Sequence, residues 1–422
     1  MRAKADTDLV RRQNRHIVLE TLRLHGPMAR VDLGKMTGLS PASITSISTQ
    51  LITEKAMLEL ADETARDPSQ RGRPTVRLGL NPAAARVIAM KISIDGIELA
   101  LAQFDGKIAE RKNFSVATYD MAAAEFGRFA ARSLLSFLSL HHLRASDIAH
   151  IGIATQGLAD SRSGQIAWSP AFKAHAIPVV EPLEAELGVP CSLANDANMI
   201  AEGVMATDHY RYLGTAAVVF IGYGVGMGLV IDGKVYHGAT GAAAEFGHMN
   251  HIPGGAVCRC GRSGCLEAYA SDYGILRSAE NLPDDTAPPS YAVDPMVMKA
   301  LEKAARGGDT NALQAYQKAG RAIGFGLARM IALLNPDRIV LAGPGTSALD
   351  LIEPALRAAL SDGVVEALRA QVKIESAPIA TDMIITGTIA ATLRRLDSEI
   401  FSTGPMRKKS ETVEKITNEI VA

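Results

Sequence analysis

Three of the chain's four cysteines fall within eight positions of "EFGHMNHIPGGAVCRCGRSGCLEAYAS", residues 245–271. Nothing else in the sequence limits the fold as tightly, because thiols this dense must converge on a shared partner or on one another. Cys258, Cys260 and Cys265 with His248 offer three sulfurs and one nitrogen, the tetrahedral donor set that suits Zn²⁺. Gly261 and Gly264 let the backbone turn sharply enough for that convergence. His251 is the rival nitrogen ligand, and a redox-sensing thiol cluster is the rival chemistry. Four protein ligands leave no open coordination position, so one structural Zn²⁺ ion per chain is expected rather than a hydrolytic centre. Glu245 stands three residues before His248 and Glu267 two after Cys265, so tying the loop also fixes two carboxylates. Paired carboxylates near an Asn-Asp, here Asn195-Asp196 of "LANDAN", are how proteins grip the vicinal hydroxyls of a sugar.

A chain of 422 residues exceeds what one core supports, so several domains are expected. Its 47% apolar and 21% charged content is that of a globular protein. The opening "MRAKADTDLVRRQNRH" lacks the apolar core of a secretory signal. The most apolar stretch, "GTAAVVFIGYGVGMGLVIDG", is broken by repeated glycines and an aspartate, so no membrane span is expected. Four cysteines do not make a disulfide framework, and the cytoplasm is the expected compartment. Charge is uneven: residues 1–80 carry 13 basic and 9 acidic side chains, the remainder 31 and 36. A mildly basic head on an acidic body points the head toward a polyanion.

The head has the motif to match. "NRHIVLETLRLHG" sets Ile17, Leu19, Leu22 and Leu24 on a helical stripe that Gly26-Pro27 stops. "ARVDLGKMTGLSPASITSISTQLITEK" then reads as two helices about a tight turn at Gly38, the first anchored by Val31, Leu33 and Met36. Ser40 is an N-cap and Pro41 a first helical residue. The second helix buries Ile44, Ile47, Leu51 and Ile52, while its outer face shows Ala42, Ser43, Thr45, Ser46, Thr49 and Gln50. That face is small, polar and free of acids, as a helix lying in a DNA major groove requires. A hairpin wing follows, ending in "SQRGRPTVRLGLNP". There Arg71-Gly72-Arg73-Pro74 has the form of an extended Arg-Gly-Arg minor-groove binder. Ser40, the outer-face residues, Arg71 and Arg73 are the expected contacts to a double-stranded operator.

From residue 86 the texture becomes α/β. "RVIAMKISIDGIELALAQFDGKIAERKNFSV" predicts three strands turning at Asp105-Gly106. The spacing predicts helix over "MAAAEFGRFAARSLLSFLSLHH", strand over "IAHIGIATQG", and strand, turn and helix over "GVPCSLANDANMIAEGVMA". "GTAAVVFIGYGVGMGLVIDGKVYHGATG" repeats the glycine-bearing hairpin, and "AYQKAGRAIGFGLARMIALLNPDRIVLAGPG" predicts a long helix feeding a strand. Two halves of this pattern imply a duplicated body with its ligand crevice at the carboxyl ends of the strands.

"GAAAEFGHMNHIPGGAVCRCGRSGCLEAYAS" resembles the signature of the ROK family of repressors, open reading frames and sugar kinases. The likeness runs from 86 to about 396 through "NDAN", Gly224-Val225-Gly226 and "LAGPG". It implies an actin-like, ribonuclease H-like body of two lobes with sugar held between them, and makes Asn195, Asp196, Glu245, His248 and Glu267 the sugar-contacting residues. On that basis residues 1–82 form a winged helix-turn-helix, 83–202 the first lobe, 203–400 the second lobe with the zinc loop, and 401–422 a polar tail. The C-terminal helix has the option of returning to the first lobe. Family kinases open with Asp-x-Gly-Gly-Thr, whose glycines admit ATP phosphates to backbone N–H groups. Registered on "FDGKI", this chain has Lys91-Ile92-Ser93-Ile94-Asp95 there, so ATP binding is expected to be lost although Asp196, the kinases' catalytic base, is kept. No residue is assigned a catalytic role. The expectation is a repressor of carbohydrate-utilisation genes, a homodimer or homotetramer, answering to a sugar or sugar phosphate. The alternatives are a sugar kinase carrying a DNA-binding head, and a DNA-binding module controlled by a protein docked on the body.

Overall fold

The computed structural model describes residues 7–60, 76–94, 96–207, 209–377 and 382–401. Two compact units divide the chain: residues 1–87, 101–109 and 391–422 form one, residues 88–100 and 110–390 the other. Arg71, Arg73, Asp95 and the tail beyond 401 lie outside the described residues.

In the first unit, helix α1 (Thr7–His25) buries Val18, Leu19 and Leu22. Leu19 and Leu22 are buried as expected, whereas Ile17 is exposed with Val18 buried in its place, and Leu24 is half-buried. Strand β1 (Met28–Ala29) leads into α2 (Arg30–Thr37), which ends on Gly38 at φ +69°. Leu33 alone anchors α2. Val31, about 200° around the helix from it, is 68% exposed, and Met36 is also exposed. Helix α3 (Pro41–Thr53) begins as its sequence predicts, with the Ser43 amide donating to the Ser40 hydroxyl at 3.1 Å and Pro41 in the first turn. Strands β2 (Met57–Leu60) and β3 (Arg77–Leu80) pair antiparallel, and β1 adds on in the order β1-β3-β2. Two helices about a turn, followed by a small sheet, make a winged helix-turn-helix.

The rest of this unit closes on α1. The Arg23 guanidinium lies over the Phe104 ring at 5.1 Å and donates to Asp397, which is fully buried. Arg394 reaches Glu20 at 3.5 Å.

The second unit carries most of two like sheets. The first has the order β11-β7-β4-β5-β6, from β4 (Arg86–Ser93), β5 (Gly96–Gln103), β6 (Ile108–Ser115), β7 (His150–Thr155) and β11 (Cys191–Asn195). The second has the order β14-β13-β12-β15-β16, from β12 (Ala216–Ile221), β13 (Val225–Ile231), β14 (Lys234–Val235), β15 (Arg338–Ala342) and β16 (Lys373–Ser376). In each, an antiparallel meander adjoins strands that pair in parallel, β11 with β7 and β12 with β15 with β16. Strands β8 (Leu158–Asp160), β9 (Gln165–Trp168) and β10 (Ile177–Pro178) form a small third sheet. A helix over Thr310–Leu334 buries Tyr316, Ile323, Leu327 and Ile331 in a core with Val219, Ile339 and Leu341 of the second sheet. Parallel strands buried on both faces are continuous apolar runs, as in "RIVLA". Among the described residues no helix is long and apolar enough to cross a membrane.

Candidate functional site

The cysteine loop closes as a knot. The Cys258 amide donates to the Arg262 carbonyl at 2.8 Å, and the Gly261 amide to the Cys258 carbonyl at 3.0 Å. At Gly264, φ is +85° and a Cβ would lie 1.9 Å from the Ile252 carbonyl oxygen, so only glycine fits. The ligand atoms of His248, Cys258, Cys260 and Cys265 all come within 4.8 Å of one another. His248 Nδ1 lies 3.7 Å from Cys258 Sγ, and the Cys260 and Cys265 sulfurs are 3.7 Å apart. Four donors about 2.3 Å from one ion would stand about 3.8 Å from each other, so the cluster fits a tetrahedral metal. A hydrogen bond between the Cys258 and Cys260 sulfurs holds Cys260 well below the ordinary thiol range and pushes Cys258 above it, so the pair shares one proton that a bound metal would displace. His251, the rival ligand, is not in the cluster; its ring packs edge-on to Tyr269 at 5.2 Å.

His248 uses its other face for the neighbouring cleft, where Nε2 lies 3.7 Å from the Glu245 carboxylate. This cleft encloses about 580 Å³ of space, mouth included. Gln156, Trp168, Asn195, Asp196, Tyr223, Glu245, His248 and Glu267 all line it, so all five expected sugar residues converge there. Their states differ. Strand β11 runs straight into helix α6 (Asp196–Thr207), and Asn195 serves as its cap, accepting from the Ala197 and Asn198 amides at 2.8 and 3.3 Å. Its amide donates to the Gly157 carbonyl at 2.7 Å, so its polar atoms are engaged within the protein. Burial raises the Asp196 carboxyl to about 6, opposed by the Tyr223 hydroxyl, which donates to it at 2.7 Å. Burial also raises Glu245, opposed by His248. Glu267 is buried and accepts from the Val225 amide at 3.2 Å and the Tyr273 hydroxyl at 3.3 Å. It therefore props the glycine turn while facing the cleft.

Sequence reasoning missed Tyr223, Gln156, Trp168 and Arg259. Arg259, inside the cysteine loop, donates to the Tyr223 carbonyl at 2.9 Å and to the carbonyls of Pro289 and Tyr291. A lone arginine between cysteines gave no signal for this tie.

In the head, Ala42, Thr45, Ser46 and Thr49 of α3 are exposed, and Ser43 and Gln50 are half-buried. The Ser40 hydroxyl is engaged as the cap. Gln50 accepts from Arg11 at 2.7 Å and from Arg15 at 3.2 Å, which brings an α1 arginine to the rim of this face.

These features define a class: α/β proteins of two like sheets, with a histidine–cysteine loop beside an acidic cleft, carrying a winged helix-turn-helix on the same chain. The ROK family model matches residues 87–394, and the chain belongs to the ROK family. It is 26% identical over 373 residues to the N-acetylglucosamine repressor of Escherichia coli O6:H1, covering 87% of this chain and 89% of that one. The crystal structure of a ROK family transcriptional regulator, a homologue of the E. coli Mlc protein, has a TM-score of 0.75 at 24% identity. That match covers 93% of this chain and 98% of the other. A ROK family glucokinase from Streptomyces griseus, solved with glucose and AMPPNP, has a TM-score of 0.59 at 24% identity over 74% of this chain and 100% of its own. The likeness to the regulator thus takes in nearly the whole chain, and the likeness to the kinase about three quarters.

Proposed function

We propose that the chain is a sugar-responsive transcriptional repressor of carbohydrate-utilisation genes, and that its cleft senses the sugar without phosphorylating it. The observation that carries this reading is Ile94, buried in the turn where the family kinases have a phosphate-binding glycine, a side chain that keeps the backbone from an ATP phosphate. The Tyr223 hydroxyl, donating to Asp196 at 2.7 Å, takes up one acceptor position of its carboxylate and leaves the others open to a sugar hydroxyl. The relative named as a repressor, which spans most of both chains, supports the regulatory role.

Asp196, Glu245, His248 and Glu267 are the effector-contacting residues, with Asn195 shaping the floor. His248, Cys258, Cys260 and Cys265 would hold one Zn²⁺, whose part is to fix the loop that presents Glu245 and Glu267. Ala42, Ser43, Thr45, Ser46, Thr49 and Gln50 read a major groove, with Ser40 capping the reading helix and Arg71 and Arg73 reaching the minor groove. The protein acts in the cytoplasm as a homodimer or homotetramer. Half-sites repeat about 34–36 Å apart, so an effector that alters the spacing of two heads weakens operator binding.

The test is a DNA-binding titration of the zinc-loaded protein on its own promoter region, with and without candidate sugars, beside an ATP-turnover assay with the same sugars. Sugar-dependent release without turnover is the expected result. Turnover would make the protein a kinase with a DNA-binding head. Release by a docked protein but by no sugar would make the body a protein-responsive module.

A further inference from the structure

Trp168 is the chain's sole tryptophan, and it stands in the cleft wall with its ring edge-on to His248, centroids 5.6 Å apart at 78°. Its backbone is fixed from behind. Gly157 has φ +84°, and a Cβ there would lie 2.4 Å from the Trp168 carbonyl oxygen, while Asn195 donates to the Gly157 carbonyl. Trp168 is only half-buried although it lines the cleft.

Gln156 is 6% exposed and also lines the cleft, yet among the described residues its Oε1 has no hydrogen-bond partner. A buried acceptor left unpaired is costly, so such an atom is an opening for a ligand donor. The carboxylates of Asp196, Glu245 and Glu267, all acceptors when ionised, line the same cleft. An aromatic side chain beside a set of acceptors matches a molecule with one C–H face and hydroxyls around its edge.

We propose that Trp168 and Gln156 are the specificity-determining pair of this cleft. The ligand is a pyranose that lays its C–H face on the Trp168 indole and donates one hydroxyl to Gln156 Oε1. This rests on the sugar-sensing reading above and adds which side chains choose the sugar. Both residues are uncharged, so they select ring shape and hydroxyl position, while the acids supply general affinity for polyols.

A single tryptophan makes the test direct. The full-length zinc-loaded protein is titrated with D-glucose, N-acetyl-D-glucosamine and their 6-phosphates, reading tryptophan emission and, separately, melting temperature. A sugar that raises the melting temperature is expected to change the emission with the same saturation midpoint. Trp168→Ala should weaken that sugar about tenfold or more, whereas Trp168→Phe, which keeps an aromatic face, should recover most of the affinity. Gln156→Leu should weaken it by a similar factor, whereas Gln156→Glu, which keeps an acceptor, should weaken it less. Melting of each variant without sugar shows that it is folded. If a sugar stabilises the protein while emission is unchanged and Trp168→Ala binds as the parent does, this proposal fails and sugar sensing stands. If no sugar stabilises the parent protein, both fail.

Discussion

The hairpins β4–β5 and β12–β13 hold equivalent places in the two sheets and have diverged in opposite ways. The first is closed by its side chains: Ile94 is buried in the turn, and Lys91 reaches Glu98 on the next strand at 3.5 Å. The second keeps an open, glycine-rich backbone, but that backbone is committed to the protein. A Cβ at Gly228 would lie 2.4 Å from the Ala201 Cβ and 2.6 Å from the Ala197 carbonyl, so glycine is needed there to seat α6 on β13. At the turn, Tyr223 caps Asp196, its carbonyl takes Arg259, and the Val225 amide goes to Glu267. Glycine spacing alone therefore does not identify a phosphate cradle, since close packing between a helix and a strand asks for the same residues.

The largest effect should come from the candidate metal cluster, because the second hairpin leans on its loop. Arg259 lies between two thiols of the cluster and Glu267 two residues past a third. Chelation, or Cys265→Ser, is expected to destabilise the protein by on the order of 4 kcal/mol. It should also speed amide exchange at residues 222–226 and leave residues 92–97 near their original rates. Equal acceleration in both hairpins would erase the distinction between them.

Asp196 is next. Burial raises it from 3.8 to about 6. A raised carboxyl contributes fully to stability below about pH 4 and loses that contribution as pH rises through 6, roughly 3 kcal/mol across the window. Asp196→Asn should flatten that limb in urea titrations taken between pH 4 and 7. Protons also compete with a metal for the cluster's ligands, so the quantity to read is the difference between the two proteins. Asp272, also raised to about 6 by burial, leaves a residual slope in both.

Much of this arrangement is legible in the sequence. Cysteine density and two glycines foretell the knot, Ser40-Pro41 foretells the start of α3, and "RIVLA" foretells a buried parallel strand. What escapes is whatever depends on residues far apart and chemically plain. Tyr223 touches Asp196 across 27 positions, and Arg23 meets Asp397 across 374. Val31 and Met36 fail as anchors because a two-turn helix offers its neighbours one narrow face, and pattern alone does not say which apolar residues lie on it. Gln156 and Trp168 carry no charge or spacing that marks a cleft, and they acquire meaning only once the end of β7 and β9 bring them beside the acids.

The smallest effects separate what each hairpin does to Asp196. Three interactions chiefly favour its ionised form: the Tyr223 hydroxyl first, then the Ala197 amide, then the more distant charge of Lys91. Tyr223→Phe removes the strongest, so the Asp196 midpoint should climb above 6 by roughly one unit, the worth of one hydrogen bond to a charged group. Lys91→Gln should move it the same way by less, because the first hairpin acts only through charge. Salt distinguishes them. A charge acting through a partly solvated path weakens with ionic strength, while a buried hydrogen bond does not. The Lys91 effect should therefore shrink between 0.01 and 1 M salt, where the screening length falls from about 30 Å to 3 Å, and the Tyr223 effect should persist. Carboxyl titration of Asp196 by NMR reads both. Matching salt dependence would mean that the two hairpins reach Asp196 by the same route, and that the second hairpin's tyrosine is no cap at all.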